Sequence, residues 1–308
     1  MTFNIFDIKR YAINDGPGIR TTLFFKGCPL RCAWCHNPES WSTEPQLVYR
    51  QSRCIGCQTC VSTCPNHLLE MTTEGIRPTD TDQCRGCNLC TQECPTRALE
   101  MCGREWTLDE LMAEVEKERE VMTQSGGGVT LCGGEPLMHP EEALALLTEL
   151  KQRGFHTAVD TSLQTSPTIV GRVAPVTDLF LADLKLMDSA QHKQYTGKEN
   201  ELILNNIRLL NQLGADFWIR IPLIEGVNAD DENIIATADF LSSLTSWKSR
   251  RIHLLPFHDV AQEKHRRLFS LHSPLSTLHN SFSIPNDETL QHIVSLFESR
   301  GYRVIVGG

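Results

Sequence analysis

The sequence predicts an α/β protein: a partial (β/α)6 barrel of the TIM type, interrupted near its start by a small cysteine-rich insert. Three observations carry that prediction. From residue 107 onward, short apolar runs alternate with helix-period stretches, which implies a parallel sheet flanked by helices. The glycine-rich and carboxylate-bearing clusters fall just after those apolar runs, at the C-terminal strand ends where barrel enzymes gather their active-site loops. Between positions 54 and 95 one cysteine run occurs twice. The repeat is about thirty residues long, the period of a small duplicated unit.

Taken in order, Thr21–Lys26 reads as the first strand, and the insert follows from 49 to 103, so that 1–48 and 104–308 together make the barrel. Thr107-x-x-Glu110 is a capping box opening a helix that continues through Glu118 to near Thr123, where Gly126-Gly127-Gly128 stops it. Val129–Cys132 is the second strand. Pro140 leads an apolar-periodic helix over 141–152, closed by Gly154. Further strands are expected at His156–Thr161, Leu179–Lys185, Phe217–Leu223 and Arg251–Phe257, with helices near 201–213, 231–244 and 287–299 and a terminal strand at Tyr302–Val306.

Composition limits the classes. The chain has 308 residues, 40% hydrophobic and 22% charged, as an ordinary water-soluble globule has. A net charge of -9 argues against nucleic acid or an anionic membrane as partner, since both attract basic surfaces. Phe3–Phe6 is too short for a signal core and no run approaches a membrane span, so a cytoplasmic monomer is expected. Thiols stay reduced there, and thirteen cysteines then read as metal ligands and not as a disulfide framework.

The cysteines fall into distinct sets. Cys28, Cys32 and Cys35 form C-x3-C-x2-C directly after the first strand. An iron–sulfur cubane normally takes four thiolates, so three leave one iron free for a further ligand, as an open position on zinc does. Zinc with His36 as fourth ligand is the plainer alternative. Cys54, Cys57, Cys60 and Cys64-Pro65, then Cys84, Cys87, Cys90 and Cys94-Pro95, each spell C-x2-C-x2-C-x3-C-P, the bacterial ferredoxin run for two four-iron clusters. The fourth cysteine of each run serves the other cluster, giving Cys54, Cys57, Cys60 with Cys94, and Cys84, Cys87, Cys90 with Cys64. Three four-iron clusters are expected in all. Cys132 reads as a small buried hydrophobe. Cys102 reads as a spare thiol, with an alternative ligand as its second reading.

C-x3-C-x2-C after the first strand is the signature of the radical S-adenosylmethionine (SAM) enzymes. With Asp-Gly-Pro-Gly-Ile-Arg at 15–20 and Cys-His-Asn-Pro-Glu-Ser at 35–40, the chain resembles the activating enzymes of glycyl radical enzymes, the group that includes the pyruvate formate-lyase activase. The resemblance runs over essentially the whole length. It implies an oxidoreductase: reductive cleavage of SAM at the Cys28, Cys32, Cys35 cluster, then hydrogen abstraction from a glycine of a partner enzyme.

The resemblance also implies site residues. Gly133, Gly134 and Glu135 bind the amino group of the methionine moiety. Asp160 and Asp183, with the peptide carbonyl between Asp183 and Lys185, form a monovalent cation site; Ser162 stands where the family has Asn. Lys185 contacts the cofactor, His258 of Leu-Leu-Pro-Phe-His lies against its ribose or carboxylate, and Trp34 packs on its adenine. Arg220 matches the family's Arg-x-Pro strand, with Glu225-Gly226 where Pro-Gly is expected. Asp15 and Arg20 meet the glycyl loop of the partner, and flavodoxin or ferredoxin supplies electrons.

The insert, which the pyruvate formate-lyase activase lacks, points to an eliminase or lyase acting on a diol, choline, hydroxyproline or a similar substrate. Two rivals remain: a radical SAM enzyme acting on a small molecule or maturing peptide, and an iron–sulfur electron carrier. The insert's place between first strand and first helix disfavours the former, and Gly-Gly-Glu-Pro disfavours the latter.

Overall fold

The computed structural model describes residues 1–80, 83–268 and 282–307. In chain order the strands are β1 (Thr2–Ala12), β2 (Arg20–Phe25), β3 (Gln46–Tyr49), β4 (Leu69–Thr72), β5 (Gly75–Pro78), β6 (Leu99–Cys102), β7 (Arg104–Thr107), β8 (Gly128–Gly133), β9 (His156–Thr161), β10 (Leu179–Asp183), β11 (Phe217–Leu223), β12 (Arg251–Pro256) and β13 (Arg303–Val306). The insert carries two short helices, α1 (Thr59–Thr63) and α2 (Leu89–Gln92). Around the sheet lie α3 (Leu108–Glu116), α4 (Arg119–Ser125), α5 (Pro140–Gln152), α6 (Pro167–Val173), α7 (Ser189–Thr196), α8 (Glu201–Leu213), α9 (Asp231–Ser242), α10 (Gln262–Arg267) and α11 (Asp287–Ser299).

One nine-stranded mixed sheet dominates, in the order β13-β12-β11-β10-β9-β8-β2-β1-β7. From β2 across to β13 every neighbouring pair is parallel, as strand–helix alternation requires. The main core lies between this sheet and its helices and includes Leu23, Phe25, Leu131, Val159, Phe180, Ile219 and Leu254. Among the described residues no helix is long and apolar enough to cross a membrane.

Two strands of this sheet were not expected. β1 precedes the strand read as first, pairs with it antiparallel, and takes β7 on its far side. Phe3 and Ile5 of β1 are buried, and the alternation that places them was present in the sequence. The expected single helix after Thr107 is two. Both bonds of the capping box form, Glu110 N to Thr107 Oγ1 at 3.2 Å and Thr107 N to Glu110 Oε2 at 2.7 Å. Glu118 then leaves helical geometry (φ −108°, ψ 9°) and turns its carboxylate to Arg10 and Tyr11 of β1. The glycines at 126–128 do more than stop a helix. A Cβ on Gly127 would lie 1.8 Å from the carbonyl oxygen of Ile19, so the turn from Asp15 to Arg20 lies flat on this run.

The insert is closed by a ladder of β3 on β6, Gln46–Tyr49 against Leu99–Cys102, which begins three residues before the expected limit of 49 and ends just inside that of 103. Its duplication is visible in the backbone: Gly56, Gln58 and His67 have left-handed φ values of 72°, 60° and 52°, and Gly86, Asn88 and Arg97 repeat them at 63°, 65° and 51°.

Candidate active site

β2 delivers the chain directly into the loop of Cys28, Cys32 and Cys35. That loop is fastened from several sides. The Arg31 and Ala33 backbone amides donate to Thr196 O and Tyr195 O at the end of α7, at 2.7 and 2.9 Å. The Arg31 side chain turns back onto Cys28 O and Leu30 O at 2.6 and 2.8 Å. His265 of α10 donates to Cys35 O at 3.1 Å. Beneath the loop, Leu30, Ala33 and Trp34 pack with Leu186, Ile224, Val227 and Phe257. The Trp34 ring sits beside Tyr195 and Phe282, with ring centres 6.1 and 6.2 Å away.

The C-terminal ends of the parallel strands open on one cavity of about 500 Å³. Its lining brings together Asp15, Cys28, Cys32, Trp34, Cys35, Gly133, Gly134, Asp160, Asp183, Lys185 and His258. These arrive from six loops and span 244 positions, from Asp15 to His258 counted inclusively. Burial, and then the neighbouring sulfurs, push the Cys28 thiol well up. Crowded soft donors of this kind fit a multiply charged iron–sulfur centre, which favours their thiolate forms. His36, the alternative zinc ligand, instead donates its Nε2 proton to His258 O at 3.1 Å.

Two of the expected site residues are turned away from the cavity. Arg20 is wholly buried: Nε donates to Thr130 Oγ1 at 2.6 Å and a terminal nitrogen to Val129 O at 2.8 Å. Burial lowers its pKa to about 10, even with Asp15 and Asp178 pulling the other way. It is turned into the sheet, and through Thr130, which donates to Asp15 O at 2.7 Å, it steadies the turn that carries Asp15. Glu135 is also wholly buried and does not line the cavity. Its carboxylate accepts from Thr161 Oγ1 (2.7 Å), Leu137 N (3.1 Å), Ser162 N (2.8 Å) and Ser162 Oγ (2.6 Å). It latches the loop after β9 to the loop after β8. Burial pushes this carboxyl up, and the four donors hold it down.

The glycines beside it are required by the protein's own backbone. A Cβ on Gly134 would stand 2.1 Å from Gly27 O, and one on Gly133, at φ 112°, would stand 2.5 Å from Phe25 N. The turn thereby locks onto the segment leading into the cysteine loop.

In the insert the eight cysteines separate into the two crossed sets. Cys64, Cys84, Cys87 and Cys90 line one cavity of about 520 Å³. Cys54, Cys57, Cys60 and Cys94 line a second of about 20 Å³. Leu68 N and Ala98 N donate to the Cys64 and Cys94 sulfurs at 3.4 and 3.2 Å, equivalent bonds in the two repeats. Among the described residues no three His, Cys, Asp or Glu converge as a single metal ion requires. The cysteines ring cavities instead. The larger one is also lined by Ser42, Gln46 and Leu47, and Ser42 O accepts from Gly27 N, next to Cys28, at 2.9 Å. This set therefore lies on the side of the insert next to the Cys28 loop. Cys102 lines neither; burial raises its pKa to about 11.

The radical SAM superfamily profile matches residues 83–238, and the 4Fe-4S dicluster domain profile matches 48–101. The chain is 39% identical over 305 residues to the trans-4-hydroxy-L-proline dehydratase activating enzyme of Clostridioides difficile, covering 99% of both. It is 40% identical over 267 residues to the choline trimethylamine-lyase activating enzyme of Oleidesulfovibrio alaskensis, covering 86% of each. The chain belongs to the glycyl radical enzyme activating enzymes. It activates a partner enzyme by cleaving SAM reductively, and the resulting 5'-deoxyadenosyl radical takes a hydrogen atom from a glycine Cα of that partner. A solved domain of a pyruvate formate-lyase-activating enzyme from Bacteroides vulgatus aligns with a TM-score of 0.50 at 40% identity, over 59% of this chain and 99% of that one. The superfamily match begins at 83, beyond Cys28–Cys35, so the triad's place rests on the cavity and on relatives matched along nearly the whole chain.

The activating enzyme's cavity holds two charge pairs. Arg220 donates to Asp160 Oδ2 at 2.7 Å, and Lys185 Nζ to Asp183 Oδ2 at 2.6 Å. Cys132, a cavity residue and not merely core, donates its S–H to Asp160 Oδ2 at 3.0 Å. Burial carries the Asp160 carboxyl up to about 6 against the pull of Arg220. Period-two alternation was the signal for both missed contacts. Arg220 lies on the face of β11 opposite Phe217, Ile219 and Ile221, and Cys132 shares a face of β8 with Thr130.

Proposed function

We propose that this enzyme activates a glycyl radical enzyme of the dehydratase or lyase kind, with SAM bound in the cavity at the strand ends. One observation carries the reading: three cysteines and polar groups from five further chain segments share a single cavity. Cys28, Cys32 and Cys35 would hold the four-iron cluster that supplies the electron for cofactor cleavage. Gly133 and Gly134 take the methionine amino group, with Lys185, Asp183, Asp160, His258 and Trp34 around the rest of the cofactor. Asp15, half-buried at the cavity and accepting from Thr22 Oγ1 at 2.7 Å, meets the partner's glycine loop. The names of the relatives, a hydroxyproline dehydratase activase and a choline lyase activase, support the partner class.

The barrel reading, a partial (β/α)6 barrel of 1–48 and 104–308 with a ferredoxin-like insert of 49–103, is supported by the parallel strands that share one cavity at their ends. Two further clusters fit the crossed quartets, which makes three. We read the insert as a relay through which flavodoxin or ferredoxin delivers electrons, the far quartet with exposed Cys57 outermost. Thirteen free thiols suit the reducing cytoplasm, where the enzyme acts as a monomer. The test is anaerobic reconstitution with a candidate partner. A glycyl radical signal by electron paramagnetic resonance, with one 5'-deoxyadenosine formed per radical, is expected. Deoxyadenosine formed at the same rate with and without every such partner overturns the reading.

A further inference from the structure

We propose that Lys26 is a buried countercharge shared by the loop of Cys28, Cys32 and Cys35 and the insert's quartet of Cys64, Cys84, Cys87 and Cys90. There it raises the reduction potential of the cluster that each would hold. The inference rests on the reading of both cysteine sets as cluster sites and of the insert as an electron relay.

Lys26 follows β2 directly, lies two residues before Cys28, and is wholly buried. Its backbone is pinned on both sides: the amide donates to Asn4 O at 2.9 Å, and the carbonyl accepts from His139 Nε2 at 2.7 Å. Its ammonium donates to Glu39 O at 2.7 Å and to Gln46 Oε1 at 3.1 Å. Glu39 lies four residues beyond Cys35, and Gln46 opens β3 and lines the cavity of the Cys87 quartet. The ammonium therefore bridges the two cysteine regions where the chain passes from one to the other. Gly103 makes room for it, since a Cβ there would stand 2.9 Å from Lys26 Cδ.

Its neighbours leave that charge standing. The Glu39 carboxylate is paired with Lys264, 2.8 Å away. Cys102, opposite Gln46 in the β3–β6 ladder, is kept a neutral thiol by burial. Among the charged residues that line the quartet's cavity, Glu44 and Arg85 are exposed and Asp80 is half-buried, so water screens them more than it screens Lys26. A cluster gains one negative charge on reduction, and a buried cation favours that form. One electron leaves the insert cluster, which is oxidised, and enters the triad's cluster, which is reduced; no bond or proton changes hands. Reduced flavodoxin or ferredoxin supplies it. A charge shared by both sites moves both potentials the same way, so the electron is not trapped on the insert. The internal repeat is the control: the two quartets have equivalent sulfur bonds, from Leu68 N and Ala98 N, but Gln46 lines the cavity of one and not of the other.

The experiment is a redox titration of the fully loaded enzyme followed by electron paramagnetic resonance, with the insert signals assigned through Cys57→Ala and Cys87→Ala. Lys26→Met should shift the reduced-to-oxidised ratio of the triad and Cys87 clusters roughly tenfold at fixed potential, a fall of about 59 mV in each. The Cys57 cluster should move far less, and Lys26→Arg should hold the parent values. Unchanged potentials in Lys26→Met with about twelve irons bound would leave the lysine a packing role and overturn the inference. An equal fall in all three clusters overturns it as well, because it reports a general loosening. Should Lys26→Met fail to load, Lys26→Gln, neutral and still a donor to Glu39 O, is read in its place. If neither loads, the parent decides: the Cys87 cluster should titrate about 59 mV above the Cys57 cluster, and equal potentials overturn the inference. An iron content near four in the parent strikes the cluster reading itself, and this inference falls with it.

Discussion

The two cysteine regions use the same ligand for opposite purposes. None of Cys28, Cys32 and Cys35 is exposed, and their loop is fastened by α7, α10 and the apolar packing of Trp34. In the insert Cys57, Cys84 and Cys87 stand at the surface. The insert's apolar cluster is small: Tyr49, Leu69, Ile76, Ala98 and Leu99, with Cys60 inside it and Cys54, Cys64, Cys90 and Cys94 packed against it. Its helices are 5 and 4 residues long, too short to persist alone. Beside the large sheet the protein's own packing builds the site, and a metal there would add chemistry. In the insert metal ligation supplies much of what a core otherwise would.

The largest effect should separate these roles. Replacing Cys28, Cys32 and Cys35 together by Ala should remove about four of twelve irons and all deoxyadenosine production. Thermal unfolding should move little, because the loop's fastenings do not run through its sulfurs. Unfolding of the large sheet and its helices in this variant breaks the comparison. An iron content near four in the parent enzyme, with zinc making up the rest, breaks the assignment of the insert.

Next in size are Cys57→Ala and Cys87→Ala, one in each quartet. Either should expose the insert to limited proteolysis and abolish turnover driven by flavodoxin. A single cleavage event with dithionite should survive. Full multiple turnover with flavodoxin in both variants removes the relay and leaves the insert a structural role alone.

Within the large sheet, Arg20→Met sharpens the contrast between a charge that is structure and one that is site. It leaves the buried Thr130 and Val129 oxygens without their donor and should cost about 1–3 kcal/mol. For a chain of this size that is a fall in Tm of roughly 2–5 °C, read by calorimetry. SAM affinity, measured below the transition, should hold.

The pattern of what was readable follows from distance along the chain. The parallel strands and the crossed quartets were legible because periodicity and cysteine spacing are local properties. The strand β7 was not: Arg-Glu-Trp-Thr carries no strand pattern, and its conformation comes from pairing with β1, a hundred residues upstream. Helix α7 has a polar sequence with little periodicity, and it is set by Asp188, whose side chain accepts from Gln191 N at 2.7 Å. The motifs at Arg20 and Glu135 announced charge but not burial. The partners that bury Arg20 lie more than a hundred positions away at Val129 and Thr130, so only the fold decides that this charge faces inward.

The smallest expected effect is at Asp15, and it tests the same distinction most finely. Its backbone oxygen belongs to the buried Arg20 and Thr130 network, while its carboxylate accepts from Thr22 and lines the cavity. Asp15→Ala keeps the backbone bond and removes only the carboxylate, so stability should change little. A single lost hydrogen bond from a charged group to the glycine loop is worth about 1.5–3 kcal/mol, which lowers the yield of partner radical by roughly tenfold or more. Cleavage of SAM without partner does not use that bond and should continue at the parent rate. Measuring radical yield and uncoupled deoxyadenosine side by side gives the answer. If both fall together, the carboxylate belongs to the cofactor's half of the cavity, and the boundary between cofactor and partner lies further out than the loop of Asp15.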